Sequence, residues 1–261
     1  MKTLEKRIRT TVQQGNKAFV PYMMAGDGGL TVLNDRLLFL QEAGVTAIEI
    51  GIPFSDPVAD GETIQQAGER ALANGVTLRK VLDTLEIRSH DVHVPLVIMT
   101  YLNPILAYGI REFIARCSEV GIKGLIIPDL PLEENVPFVN ELNETDIALI
   151  PLVSLTSSVD RIANIVSQAE GFVYAVTVNG ITGIRNAYDE TLVQHLQQLK
   201  ASSPVPVLAG FGISTARQIE AFGACTDGVI VGSAIVEAFH RGDEQFINEL
   251  VQSSTSIRSL S

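Results

Sequence analysis

Short apolar runs alternate with longer amphipathic segments along most of the chain. This alternation restricts the possible folds more than any other feature of the sequence. The apolar runs have the length and composition of buried strands in a parallel sheet. There are eight of them: Ala18–Met23, Ala47–Gly51, Pro95–Tyr101, Gly124–Pro128, Ile147–Leu152, Phe172–Val176, Val205–Ala209 and Gly228–Val231. Eight βα units in 261 residues, with no linker or break in composition, predict an α/β protein forming one (β/α)8 TIM barrel domain over residues 1–261. Two extra helices are also predicted, Leu4–Gln14 before the first strand and the short Thr63–Ala73 after the second.

Two carboxylates stand at the end of the second predicted strand, where a barrel carries its functional groups. Glu49 lies between two isoleucines, so its side chain must point to the opposite face of the strand, where the small Ala47 and Gly51 leave room for a ligand. Asp60 follows on a proline-containing loop. A pair of carboxyl groups in different surroundings separates acid from base roles. The alternative for Glu49 is a structural acid paired with an arginine. The alternative for Asp60 is a turn residue or a helix cap.

Glycine-rich loops follow the last three predicted strands. Residues 210–214 read Gly-Phe-Gly-Ile-Ser, and Gly232-Ser233 opens the next helix. Barrels that bind phosphate do so at these two positions, with backbone amides and a helix N-terminus, so a phosphate-bearing substrate is predicted. The alternative is that glycine only relieves crowding at a turn. The Gly-Ile-Thr-Gly run at 180–183 fits either a lid or an ordinary turn.

The residue inventory narrows the chemistry. Asp and Glu exceed Lys and Arg by 30 to 19, which argues against nucleic acid or an anionic membrane as a partner. The lysines avoid the predicted barrel top, which argues against a Schiff-base aldolase. The histidines fall at the barrel bottom or in helices, so no metal site is expected. Two cysteines, no secretory signal and no apolar run of membrane-spanning length predict a reduced, cytoplasmic protein.

The run Gly-Ile-Pro-Phe-Ser-Asp-Pro-Val-Ala-Asp-Gly at 51–61, with Glu49, the 180–183 run and the 210–214 loop, closely resembles the alpha subunit of tryptophan synthase. The resemblance extends over essentially the whole chain. It implies cleavage of indole-3-glycerol phosphate to indole and glyceraldehyde 3-phosphate, a lyase step of tryptophan biosynthesis. It also implies that Glu49 is the general acid/base and that Asp60 holds the indole N–H and stabilises the indolenine cation.

The same resemblance assigns substrate contacts. Thr182 would touch Asp60 when the lid closes, and the phosphate would be held by Gly183, Gly212, Gly232 and Ser233. The indole ring needs an apolar slot, and five residues at strand ends or loops fit its lining, although packing of the barrel interior is the alternative for them: Tyr22, Ile64, Thr100, Tyr174 and Phe211.

The resemblance further implies a heterotetrameric alpha2beta2 complex with a beta subunit that carries pyridoxal phosphate, with no cofactor or metal in this chain. Three barrel-top segments would face that partner: Ser55–Val58, Asn103–Tyr108 and Asp129–Leu132. Low activity alone and activation in the complex are expected.

Three positions depart from the family pattern: Glu62 replaces a usual proline, Tyr22 a common phenylalanine, and Val178-Asn179 precede the lid glycine. Glu62 adds charge beside the Asp60 loop. Three other functions remain open: a sugar-phosphate isomerase or epimerase, an inactive barrel that only activates its partner, and a stand-alone lyase that releases indole.

Overall fold

The computed structural model describes residues 1–87, 90–154, 156–177 and 190–255. Its strands are β1 Ala18–Met24, β2 Ile48–Gly51, β3 Leu96–Met99, β4 Ile122–Ile126, β5 Ala148–Leu149, β6 Leu152–Ser154, β7 Val173–Val176, β8 Val207–Gly210 and β9 Gly228–Val231. Its α-helices are α1 Thr3–Gln13, α2 Leu33–Glu42, α3 Glu62–Ala73, α4 Leu78–Ile87, α5 Leu102–Tyr108, α6 Ile110–Glu119, α7 Val136–Leu142, α8 Val159–Ser167, α9 Glu190–Ser202, α10 Ala216–Cys225, α11 Ser233–Arg241 and α12 Glu244–Thr255.

All strand pairs are parallel, in the order β5-β4-β3-β2-β1-β9-β8-β7-β6. The two end strands are the halves of one predicted strand, and hydrogen bonds at their junction close the ring. The Ile150 N–H donates to the Leu125 carbonyl of β4 at 2.9 Å, and the Pro151 carbonyl accepts from the Tyr174 N–H of β7 at 3.0 Å. The predicted (β/α)8 TIM barrel is therefore confirmed.

The fifth predicted strand is the place where the barrel wall departs from expectation. The run Ile147–Leu152 was predicted as one strand, whereas the structure has β5 and β6 separated by Ile150 and Pro151. Proline has no N–H to donate to a neighbouring strand, so the ladder is interrupted there. A smaller difference is that β4 begins at Ile122 and includes Lys123, which was predicted to precede the strand.

The bottom of the barrel is closed by the predicted N-terminal helix. Leu4 of α1 is fully buried. A Cβ atom added to Gly124 would lie 2.9 Å from a Leu4 methyl group, and one added to Gly171 would lie 3.3 Å from it. These glycines leave the space that Leu4 fills, which explains how α1 seals this end.

The extra helix after strand two is confirmed as α3, and a second helix at the barrel top, α5, was not predicted. No side chain of its own caps α5; instead the Leu102 N–H at its start donates to Asp129 Oδ1 of the next loop at 2.9 Å. An orphan helix amide is thus satisfied by a group distant in sequence. Such a tertiary cap is not visible in the local pattern.

A partly buried ion pair fixes α3, the helix that follows Asp60. Arg70 donates from Nε and Nη2 to the two carboxylate oxygens of Asp27 at 2.7 and 2.9 Å, and Asp27 lies in the loop after β1. Bidentate pairs of this kind combine strength with geometric definition. Among the helices of the described ranges, none is long and apolar enough to cross a membrane.

Candidate active site

Glu49 occupies the barrel interior, as its alternation with the two isoleucines predicts. It is paired in register with Tyr22 of β1 and Val97 of β3 and is only 1% exposed. Neither of its carboxylate oxygens has a hydrogen-bond partner among the described residues. Burial first, and the charge of Asp60 second, raise the pKa of Glu49 from its usual 4.5 to about 8. At neutral pH this carboxyl therefore holds a proton that it can donate.

Asp60 lies in a different environment on the loop before α3. Burial raises its pKa to about 6, and a hydrogen bond from the Tyr101 hydroxyl opposes that rise. Asp60 is therefore mostly ionised at neutral pH, while Glu49 is mostly protonated. The two carboxyl groups are separated into an acid and an anion by their surroundings.

The Asp60 backbone is held on both sides. The Ala59 N–H donates to the Tyr101 hydroxyl at 2.9 Å, and Gln65 Nε2 donates to the Asp60 carbonyl at 2.8 Å. The Tyr101 ring also stacks on Phe54 of the same loop, with 5.2 Å between ring centroids. These contacts attach the loop to Tyr101, directly before α5, and to Gln65 of α3.

Tyr101 and Gln65 were missed by the sequence analysis. Tyr101 ends the third predicted strand, so its place at the barrel top was a signal that could have identified it. Gln65 looks like any polar residue on a helix surface, and no sequence feature distinguishes it.

Aromatic rings cover the floor of the barrel mouth beside the carboxyl groups. A Cβ atom on Gly51 would overlap the Tyr22 hydroxyl, and one on Gly210 would overlap the Tyr174 ring. The rings of Tyr174 and Phe211 lie 5.6 Å apart. The tyrosine rings can pack on Gly51 and Gly210 only because glycine has no side chain.

The other two residues predicted for the apolar slot are also buried. A Cβ atom on Gly232 would lie 3.9 Å from Ile64 Cδ1 and 3.7 Å from Tyr22 Cβ, so both side chains border Gly232. Thr100 is 1% exposed, and its hydroxyl lies 3.5 Å from the Tyr101 carbonyl oxygen. The structure therefore places Tyr22 and Ile64 at Gly232, and Thr100 beside Tyr101.

The close approach at Gly51 predicts the effect of a single methyl group. We expect Gly51→Ala to lower the free energy of unfolding by about 1–3 kcal/mol, because the methyl group must displace the Tyr22 ring from a packed site. Urea unfolding measures this change. Gly68→Ala is the matched control, because a Cβ there meets only a Met24 methyl group at 3.5 Å. Equal effects of the two substitutions would contradict the prediction.

The two glycine loops differ in the backbone amides that they leave free. The N-terminus of α10 is closed by a capping box of Thr215 and Gln218, whose side chain also donates to the Gly212 carbonyl. By contrast, α11 begins at Ser233 after Gly232, with no side-chain cap. The first amides of a helix have no intrahelical acceptor and favour an anion. Of these two helices, α11 is the better anion site.

The loop after β8 has an unusual backbone. Phe211 has a φ of 71°, in the left-handed region that a bulky residue rarely adopts. The Thr177 hydroxyl lies 2.7 Å from the Gly210 carbonyl oxygen and 2.6 Å from that of Phe211, and it holds this turn. Thr177 was not singled out from the sequence. The turn brings the Phe211 ring to Tyr174.

The remaining predicted residues, Thr182 and Gly183, lie outside the described residues, as do Val178 and Asn179. In the described ranges no group of three or more His, Cys, Asp or Glu side chains is arranged to hold a metal ion. A cavity of about 470 Å3 is bordered by α7, α8 and the interrupted strand. Neither Glu49 nor Asp60 lines it. Ion pairs join Lys2 to Glu170 and Arg161 to Glu133 there.

Comparison with known proteins decides the family. The family model of the tryptophan synthase alpha chain matches residues 8–260. The chain belongs to the tryptophan synthase alpha chain family. It is accordingly an enzyme of tryptophan biosynthesis with lyase chemistry.

Individual relatives agree with this assignment over nearly their full length. The tryptophan synthase alpha chain of Bacillus cereus (strain AH820) is 50% identical over 250 residues, which cover 95% of this chain and 96% of that one. A crystal structure of tryptophan synthase subunit alpha from Legionella pneumophila str. Paris has 34% identity and a TM-score of 0.85, covering 97% of each chain. One of tryptophan synthase from M. tuberculosis, in an aminoacrylate-bound form, has 30% identity and a TM-score of 0.87, covering 97% of this chain and 100% of that one.

The structure shows how the chain accommodates Glu62, one of the three positions that the sequence analysis named as departures from the family pattern. Glu62 is the first residue of α3, and its carboxylate accepts a hydrogen bond from Gln66 Nε2 at 3.2 Å. An acid in the first turn interacts favourably with the helix dipole, and proline is favoured at the same position for its fixed φ. Both residues therefore suit the start of a helix.

Proposed function

We propose that this tryptophan synthase alpha chain cleaves indole-3-glycerol phosphate to indole and glyceraldehyde 3-phosphate in a retro-aldol reaction. The observation that carries the proposal is the buried Glu49 carboxyl, which has no hydrogen-bond partner among the described residues and a pKa raised to about 8. A general acid works best with a pKa near the working pH. Such a group suits a reaction that begins with protonation of carbon.

Glu49 returns to its starting state within one turnover. It donates its proton to C3 of the indole ring, which gives the indolenine cation. It then takes the proton of the glycerol hydroxyl as the bond between C3 and the glycerol carbon breaks. The electrons of that bond return to the ring, indole leaves, and the oxygen becomes the aldehyde of glyceraldehyde 3-phosphate. No external oxidant or cofactor is needed to balance these steps.

Asp60 complements Glu49 by remaining an anion. Its carboxylate would accept the indole N–H, and its negative charge would stabilise the cation that forms on the ring. A fixed charge in a site with little water acts strongly on developing charge. Tyr101 and Gln65 hold Asp60 in place before substrate arrives, so no reorganisation is required during the reaction.

The rest of the substrate would be held by the residues around the mouth of the barrel. Tyr22, Ile64, Thr100, Tyr174 and Phe211 would enclose the indole ring. Gly212, Gly232 and Ser233 would bind the phosphate, and the uncapped start of α11 supports the last two in particular. Thr182 and Gly183 would complete the site from the segment outside the described residues.

A beta subunit would cover the barrel top in an alpha2beta2 complex. The segments Ser55–Val58, Asn103–Tyr108 and Asp129–Leu132 would form the contact surface. Two large apolar side chains in these segments support the assignment, because Val58 is 84% exposed and Leu106 is 53% exposed. The pyridoxal phosphate would belong to the partner, and this chain would need neither cofactor nor metal.

The test is the release of indole from indole-3-glycerol phosphate, measured with and without a beta subunit. We expect slow release by the alpha chain alone and a rise when the partner is added, because binding at the barrel top is coupled to the site. High release that does not depend on the partner would identify a stand-alone lyase. No release under either condition would reject cleavage and leave a sugar-phosphate isomerase or an inactive activating subunit.

A further inference from the structure

The hydroxyl group of Tyr22 is buried without a strong hydrogen-bond partner. Tyr22 is 6% exposed, and the one hydrogen-bond contact of its hydroxyl within the described part of the chain is the Met24 sulfur at 4.0 Å. A thioether is a weak acceptor, and buried tyrosine hydroxyls usually reach a stronger one. Burial, followed by the charges of Asp60 and Glu49, raises the pKa of Tyr22 well above its usual value, so the hydroxyl stays protonated. The hydroxyl is therefore a hydrogen-bond donor without a strong acceptor among the described residues.

The ring of Tyr22 spans the distance between the two ends of the proposed site. At its base, a Cβ atom on Gly232 would lie 3.7 Å from Tyr22 Cβ and 3.8 Å from Cδ1, next to the start of α11. At its tip, the hydroxyl lies against Gly51, and Tyr22 is paired in register with Glu49. The side chain thus runs from the proposed phosphate end to Gly51, on the face of β2 that also carries Glu49.

The three-carbon chain of the substrate must cross the same interval. Its phosphate would lie at Gly232, while its carbon bonded to the indole ring would lie at Glu49. This carbon carries the hydroxyl that gives up its proton in the reaction. The tip of the Tyr22 ring lies against Gly51, two residues beyond Glu49 on the same face of β2. At this end the indole N–H can only donate a hydrogen bond, so the reacting hydroxyl is the substrate oxygen that the Tyr22 hydroxyl can meet.

We propose that the Tyr22 hydroxyl donates a hydrogen bond to the oxygen of the glycerol hydroxyl from which Glu49 takes the proton, an inference that rests on the proposed cleavage reaction. The oxygen gives its own proton to Glu49 and still has lone pairs with which to accept from Tyr22. The bond holds that oxygen near Glu49 and strengthens as the oxygen loses its proton. Tyr22 therefore acts on the polar chain as well as covering the indole slot.

Tyr22→Phe tests the proposal because it removes the hydroxyl and keeps the ring. In the complex with the beta subunit, we expect kcat/KM for indole-3-glycerol phosphate to fall by about three- to tenfold, the loss expected for one neutral hydrogen bond. The ligand control is indole-3-propanol phosphate, which has the ring and the phosphate but no hydroxyl on its chain. Its Kd should be the same for wild type and variant.

Two results would overturn the assignment. Equal weakening of both ligands would show that Tyr22 acts only by packing, and no change in kcat/KM would show that its hydroxyl makes no bond to the substrate. The urea midpoint of unfolding distinguishes a loss of stability from a loss of substrate contact. Removal of a hydroxyl without a strong partner should not lower this midpoint. Absence of cleavage by the wild-type complex would reject the proposed reaction instead, and binding of the two ligands would still be measurable.

Discussion

Glu49→Gln is expected to lower kcat for indole release by about 10²–10⁴-fold, the range that a positioned general acid contributes. Glutamine keeps the size of the side chain but has no proton to donate to the indole ring. The measurement is release of indole by the complex at saturating substrate. Glu119→Gln is the control, since Glu119 is an exposed acid paired with Arg116 on α6. Activity of Glu49→Gln within threefold of wild type would reject the acid role.

The pH dependence of kcat/KM in the wild-type complex gives a second test of the role of Glu49. The proposed cleavage needs Glu49 protonated and Asp60 ionised, so wild-type kcat/KM should fall below about pH 6 and above about pH 8, where the two raised pKa values lie. These apparent values belong to the coupled pair. A profile that stays flat through pH 9 would contradict the assignment of Glu49.

Glu49→Gln should also stabilise the fold at high pH. The folded pKa of Glu49 is about 8 against a usual 4.5, so between these values the unfolded chain releases a proton that the folded chain retains. Stability due to this group therefore falls as pH rises through that range. The advantage of the glutamine variant in urea unfolding should grow from pH 5 to pH 8. Active-site residues commonly reduce stability in this way.

Asp60→Asn is expected to lower kcat by about 10²–10³-fold, the loss found when a preorganised electrostatic partner of the transition state is removed. The amide keeps the shape but has no charge to stabilise the indolenine cation. Asp83→Asn is the control, because Asp83 is an exposed partner of Arg116. Retention of most activity would mean that Asp60 serves only as a turn residue.

The same variant tests whether the two carboxyl groups interact. The charge of Asp60 is the second cause of the raised pKa of Glu49, so its removal should shift the alkaline limb of the kcat/KM profile to lower pH. The acid limb, which belongs to the ionisation of Asp60, should disappear. An alkaline limb that does not move would show that burial alone sets the pKa of Glu49.

The features that the sequence predicted correctly are those with a local, periodic signature. Alternation in the second strand placed Glu49 inside the barrel, and the run of eight apolar segments predicted its architecture. The break at Pro151 was misread because the apolar run continues through it. The start of α5 depends on Asp129, which is far away in the sequence, so its local residues gave no cap signal.

Interactions between loops were beyond the reach of the sequence. The contact of Tyr101 with Asp60 joins two different βα loops, and the poorly partnered Tyr22 hydroxyl depends on the distance to Met24 in three dimensions. The difference between the two glycine loops was readable, however. Thr215 and Gln218 have the spacing of a capping box, and this spacing identifies α10 as a helix with a satisfied start.

The closure of the ring has a consequence for the free energy of the whole molecule. Residues 18–21 of β1 pair with β9, and residues 22–24 pair with β2. At the other side of the ring, β5 pairs with β4 and β6 pairs with β7. The wall is thus one sheet of nine strands, in which β1 stands between β2 and β9. Glu49 lies on β2, and Gly232 follows β9. A substrate that contacts both residues bridges β1, so its binding energy also opposes separation of these three strands.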